Sequence, residues 1–168
     1  MLVKPFVNVS LLTTMSILLA GIEYSLEALT QRYGKSEEYT YRPDLYPTSY
    51  IFKKDGITIT VTPFANRAKK IDVFFEELQV TSIETLLETY SGRSEWQARP
   101  TSDPAFAKHF PLFSTEGRNS LYACDRVIAL VQRDVGLGKL VLWIQTSDYP
   151  NLLAQYRVAT EFKKELDS

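Results

Sequence analysis

The stretch Tyr50-Ile51-Phe52-Lys53-Lys54-Asp55-Gly56-Ile57-Thr58-Ile59-Thr60-Val61-Thr62 sets the architecture of this chain. Asp-Gly between two runs of β-branched and aromatic residues predicts a tight hairpin, because the favoured two-residue turns need positive φ. Strict alternation after the turn predicts that Ile57, Ile59 and Val61 face a core while Thr58, Thr60 and Thr62 face out. The pattern continues downstream. Ala65-Asn66-Arg67 reads as a turn and 69–76 as a third strand, with Ile71, Val73 and Phe75 in alternation. An antiparallel sheet is therefore the base of the fold.

Helical periodicity flanks this sheet. Ser25 is placed to cap a short helix carrying Leu26, Leu29 and Tyr33, and Gly34 to end it. Residues 35–48 are polar, bear tyrosines, include Pro43 and Pro47, and read as a loop. A second helix is predicted from a Thr81–Glu84 capping box, with Ile83, Leu86, Leu87 and Tyr90 as its apolar stripe and Gly92 after its end. Trp96 opens a short strand, 100–104 is a loop, and 105–113 and 120–124 read as strands around the 116–119 turn. Runs 127–131 and 140–144 flank Val135-Gly136-Leu137-Gly138 as a buried hairpin. Pro150 starts a closing helix, with Leu153, Tyr156, Ala159 and Phe162 on its apolar side. The expected class is α+β: short helices packed on a mainly antiparallel sheet. Leu26-x-x-Leu29-x-x-x-Tyr33-Gly34 echoes Leu86-Leu87-x-x-Tyr90-x-Gly92, which offers two helix-then-strands units; chance similarity between common helix ends is the alternative.

Composition narrows the function classes. The 168 residues are 45% hydrophobic and 23% charged, with ten Tyr, nine Phe and two Trp, enough for one well-packed core. A net charge of −1 gives no electrostatic footprint for nucleic acid and no polybasic membrane patch. Residues 1–22 carry only one charge, Lys4, ahead of the apolar run 11–20. That is the layout of a secretory signal and too short for a membrane span. The chain thus divides into an export-like leader, 1–22, and one domain, 23–168. An N-terminal helix packed on the domain, in a cytoplasmic protein, is the alternative. A periplasmic or extracellular (secreted) location is expected. Leu19-Ala20-Gly21 matches the front of a lipoprotein box, but Ile22 stands where the lipid-bearing Cys belongs, so no lipid anchor is expected by that route.

The leader ending Leu-Leu-Ala-Gly, the helix to Tyr33-Gly34, the Lys54-Asp55-Gly56 hairpin, and Leu-Leu-x-x-Tyr before Ser94-Glu95-Trp96 resemble small exported bacterial proteins of unknown function. The layout is also similar to the SmpA/OmlA outer-membrane lipoproteins and the tandem β-lactamase-inhibitor-protein fold. The match spans about residues 20–100. Those families act as scaffolds or bind other proteins, so the resemblance implies interaction with another protein. Ile22 in place of the lipobox Cys and the longer 136–138 hairpin region depart from the pattern.

Chemistry-bearing residues are sparse. His109 is the sole histidine, which rules out a His-rich metal site, and no cofactor motif is present. Gly136-x-Gly138 lacks the rest of a phosphate loop and reads as a turn. A hydrolase would need His109 to meet Ser114, Ser120 or Cys124 and an orienting carboxylate, and no nucleophile elbow frames these serines. Cys124, alone, forms no intramolecular disulfide and reads as a buried small hydrophobe. Glu37-Glu38 and Glu76-Glu77 read as solvated pairs. The candidate binding residues are Tyr39, Tyr41, Arg42, Tyr46 and Tyr50, because tyrosine and arginine on an irregular segment suit recognition; the alternative is that these rings cover the core. The expected function is protein interaction or cell-envelope scaffolding, with a small-ligand site in a helix–sheet cleft as the alternative and a His109 hydrolase behind both.

Overall fold

In the computed structural model, residues 21–116, 118–133 and 139–168 are described. Among them the elements run α1 (Leu26–Tyr33), β1 (Glu37–Tyr39), β2 (Ser49–Lys54), β3 (Ile57–Phe64) and β4 (Arg67–Phe75). Then come α2 (Ile83–Ser91), β5 (Gln97–Arg99), α3 (Pro104–His109), β6 (Asn119–Cys124), β7 (Val127–Arg133), β8 (Leu140–Thr146) and α4 (Tyr149–Leu166). The eight strands form one antiparallel sheet in the order β1-β2-β3-β4-β8-β7-β6-β5. Each half is a helix followed by four antiparallel strands, with α3 inserted between β5 and β6. The halves join through their last strands, β4 and β8. The fold is α+β with two helix-then-strands units.

Local chemistry explains most boundaries. Asp55 (φ 51°) and Gly56 (φ 73°) make the tight turn between β2 and β3, with Lys54 opposite Ile57. Ala65 and Asn66, both at positive φ, repeat the device between β3 and β4. The Ser25 side chain accepts from the Ala28 N–H, and Gly34 closes α1. The α2 cap is Ser82, which accepts from the Thr85 N–H, one residue later than the Thr81–Glu84 box.

The first face of the sheet carries the larger core. Ile59, Val61, Ile71, Val73, Leu142 and Ile144 pack under Leu29 of α1 and Leu86 and Leu87 of α2. Burial of each such side chain stabilises by about 1.5–3 kcal/mol. Ile22 belongs to this core and is fully buried, and its N–H donates to the Ser91 carbonyl at 2.9 Å. Gly21 lies so close to α2 that a Cβ there would sit 2.3 Å from the Ser91 backbone. The last two residues of the expected leader are thus packed on the domain; residues 1–20 lie outside the described residues, as do Gly117 and residues 134–138, on which the expected 135–138 turn falls.

The second face is where sequence and structure differ. Residues 105–113 are not a strand. Asp103 caps the Ala105 N–H and Pro104 opens α3, whose fixed φ fits a first turn that needs no N–H. Phe106 and Phe110 then pack on Leu121 and Leu130 as a second core. The threonine row is only partly exposed: Thr58 and Thr60 are half-buried, and Thr62 is buried and bonds Ser49 Oγ at 2.8 Å. β1 forms inside the segment read as a loop and pairs with β2. In α4, Phe162 points out, 61% exposed, instead of joining Leu153 and Tyr156. Polar bonds set that rotation. Tyr156 Oη donates to the Pro43 carbonyl at 2.6 Å and Arg157 Nε to the Leu45 carbonyl at 3.0 Å.

Candidate functional site

The central strands β4 and β8 pair with Lys70 opposite Gln145 and Asp72 opposite Trp143. Strand alternation places all four on the second face, while Ile71 and Ile144 go to the first core. The four residues stand at the seam between the two units. A cavity of about 420 Å³ lies over this seam, within the size range of small-molecule sites. Lys70, Trp143 and Gln145 line its sheet side. His109, from the end of α3, and Phe110, Leu112 and Phe113, which follow it, form one wall. Tyr149, Leu153 and Arg157 of α4 form the other, and Tyr46 closes it from the 40–48 segment.

The walls are aromatic and mutually braced. Phe113 meets Trp143 edge-on at 5.2 Å, Phe74 meets the same indole at 5.4 Å, and Phe110 meets Phe113 at 6.0 Å. Such pairs hold ring orientation beyond what area burial alone gives. The Lys70 ammonium lies 5.5 Å from the Trp143 ring centre, and the Arg157 guanidinium 5.1 Å from that of Tyr46.

Polar groups converge on the sheet side. Lys70 donates to Asp72, which is almost wholly buried. Burial pushes the Asp72 carboxyl up, against the opposing pull of Lys70. Asp72 Oδ1 and Trp143 Nε1 are buried and have no hydrogen-bond partner among the described residues. His109 is buried, and its Nδ1 lies 3.1 Å from Gln145 Oε1. Burial lowers the His109 pKa and Lys108 adds to this, while the Gln145 bond opposes it, so the ring is neutral at neutral pH. A neutral ring that donates through Nδ1 leaves Nε2 as an acceptor.

This arrangement is not a hydrolytic triad. His109 is oriented by an amide instead of a carboxylate. Cys124 belongs to the first core, on the opposite face, and its thiol donates to the Ser94 carbonyl at 2.7 Å. Burial raises that thiol's pKa, and Asp125 adds to the shift. Ser120 shares the Cys124 side of β6, and Ser114 Oγ accepts from the Glu116 N–H.

The tyrosine segment is divided. Tyr46 lines the cavity and stacks on Tyr41 at 6.4 Å. Tyr41 and Tyr39 are exposed, and Arg42 is exposed beside Asp44 at 3.6 Å. Tyr50 packs against the first core, so it does not join the others. Sequence reasoning missed Lys70, Trp143, Gln145, Tyr149, Leu153 and Arg157. The available signal was a set of polar and aromatic residues alternating with aliphatic ones in the strands, Lys70-x-Asp72 and Trp143-x-Gln145.

Among the described residues no cluster of His, Cys, Asp or Glu has the spacing to hold a metal ion. No helix there is long and apolar enough to cross a membrane. No protein-family model matches the chain, and no curated protein matches it. A crystal structure of a cysteine-rich secretory protein from Staphylococcus aureus is similar with a TM-score of 0.46 and 14% identity over 76% of this chain. The match spans 45% of that protein's chain, less than half its length, and is too low to carry an argument.

Proposed function

We propose that this domain binds a small ligand in the cleft between the β4–β8 seam and helices α3 and α4. The observation that carries this reading is the cavity itself, with braced aromatic walls and a few converging polar groups on its sheet side. Pockets of this size and make-up are the usual form of small-molecule sites. Binding without chemistry fits a His109 held by an amide instead of a carboxylate, with Cys124 in the core of the opposite face. The export-like sequence pattern of the N-terminal residues supports placing this binding activity outside the cytoplasm, a point that intact mass after expression in an exporting host would test.

A second reading, protein interaction, is favoured by a specific surface. Val158, Phe162 and Leu166 lie exposed along α4, near its Ala154 and Ala159. One titration separates the two. The neutral dye Nile red should bind saturably, and Leu153→Trp, which fills the cleft, should weaken it by about tenfold. If Phe162→Ser abolishes dye binding while Leu153→Trp leaves it intact, the cleft reading fails and the α4 surface takes its place.

A further inference from the structure

The charge around the cleft is one-sided. Its lining includes Lys70, Lys108 and Arg157 and no carboxylate. Lys70 is neutralised by Asp72 behind it. Arg157 is not neutralised. It is half-buried, its Nε is committed to the Leu45 carbonyl, and no ion pair reaches its guanidinium among the described residues. The acid of the adjacent segment, Asp44, is shared between Arg42 at 3.6 Å and Lys164 at 3.7 Å. A guanidinium held in place beside an apolar cavity, with its outer nitrogens uncommitted, attracts an anion more strongly than the same group in open water. Lys108, exposed at the rim, adds to the field. The apolar part of the site is aromatic: the Phe113–Trp143 edge-to-face pair stands with Tyr149 and Leu153 around the same space.

We propose that the cleft takes an aromatic carboxylate, its anion at the Arg157 guanidinium and its ring on the Phe113–Trp143 wall. The inference rests on the cleft reading above and adds the ligand's charge and shape. A cationic ligand would meet the like charges of Lys108 and Arg157, and a neutral one would leave the Arg157 charge unanswered.

The test uses the full-length chain and three probes of one shape and different charge: naphthoate, naphthylmethanol and naphthylmethylammonium. The two tryptophans give two indole N–H resonances, and substitution of Trp143 by Phe assigns them. Naphthoate should shift the Trp143 signal saturably, leave that of Trp96 in place, and bind roughly tenfold or more tighter than the alcohol. The ammonium should bind most weakly. Lys108→Glu, a change at an exposed residue, should narrow the gap between acid and alcohol, and Arg157→Gln should narrow it further. If the alcohol or the ammonium binds as tightly as naphthoate, or if both variants leave the preference unchanged, the anion inference is overturned and the cleft reading survives. If none of the three moves Trp143, both fall.

Discussion

At the scale of the residue, Asp72 is buried at a cost to the fold. It is almost wholly buried on a central strand, one oxygen paired with Lys70 and Oδ1 without a partner among the described residues. Burial raises its carboxyl pKa and Lys70 offsets only part of that. A carboxyl whose folded pKa lies above its unfolded value binds more protons when folded. Its stabilising contribution is therefore complete below the unfolded pKa and is lost as pH rises through the folded one. Asp148 runs the other way. Burial works to raise it, but bonds from Thr146 and Lys69 outweigh that and hold it low, so its contribution is lost as pH falls. Comparison with Asp72→Asn separates the two. In urea unfolding measured across pH, the wild type should lose stability relative to the variant as pH climbs above the usual carboxylate range. Parallel profiles would show that Asp72 is not the titrating group. The sequence displays Lys70-x-Asp72 openly, but alternation alone assigns such a pair to a wet face. The cover over that face comes from helices more than thirty residues away in the chain.

At the scale of the element, legibility follows how local the determining contacts are. The α1 cap, the Asp55-Gly56 turn and the α2 stripe are fixed by residues a few positions apart, and each was legible. α3 reads as a strand in the sequence because its bulky residues suit either state, and the Asp103-Pro104 start signal outweighs them in the fold. In α4 the apolar residues fall on more than one side. Tyr156 and Arg157 have carbonyl partners at Pro43 and Leu45, and Lys164 lies 3.7 Å from Asp44, so that side faces inward. Val158 and Phe162 are left outside, 67% and 61% exposed. Val158→Ser and Phe162→Ser should each change unfolding free energy by less than about 0.5 kcal/mol, the usual range for surface positions. A loss above about 2 kcal/mol in dilute protein would place the stripe in the core after all.

At the scale of the whole molecule, the units depend on each other through the β4–β8 seam and through the segment that precedes α1. The cleft was not legible in the sequence because its sheet side is made by strands some seventy residues apart, and no local pattern announces that pairing. The segment before α1 fastens the same seam from the other face. Ile22 donates to Ser91 of the second unit, while Glu23 donates to Ala68 of the first at 2.7 Å and Tyr24 accepts from Ala68 at 2.9 Å. Gly21 and Ile22 are therefore packed into the domain, and two truncations test how much of the segment before α1 it needs. A chain starting at Gly21 keeps every one of these contacts and should unfold in one cooperative transition with the melting temperature of the full chain. A chain starting at Glu23 loses the fully buried Ile22. Removal of a core aliphatic side chain costs about 2–5 kcal/mol, so its melting temperature should fall by about 5 °C or more. If the chain from Gly21 already melts broadly, residues 1–20 are part of the fold and the leader reading is lost. If the two truncations melt together, Ile22 does not tie the units.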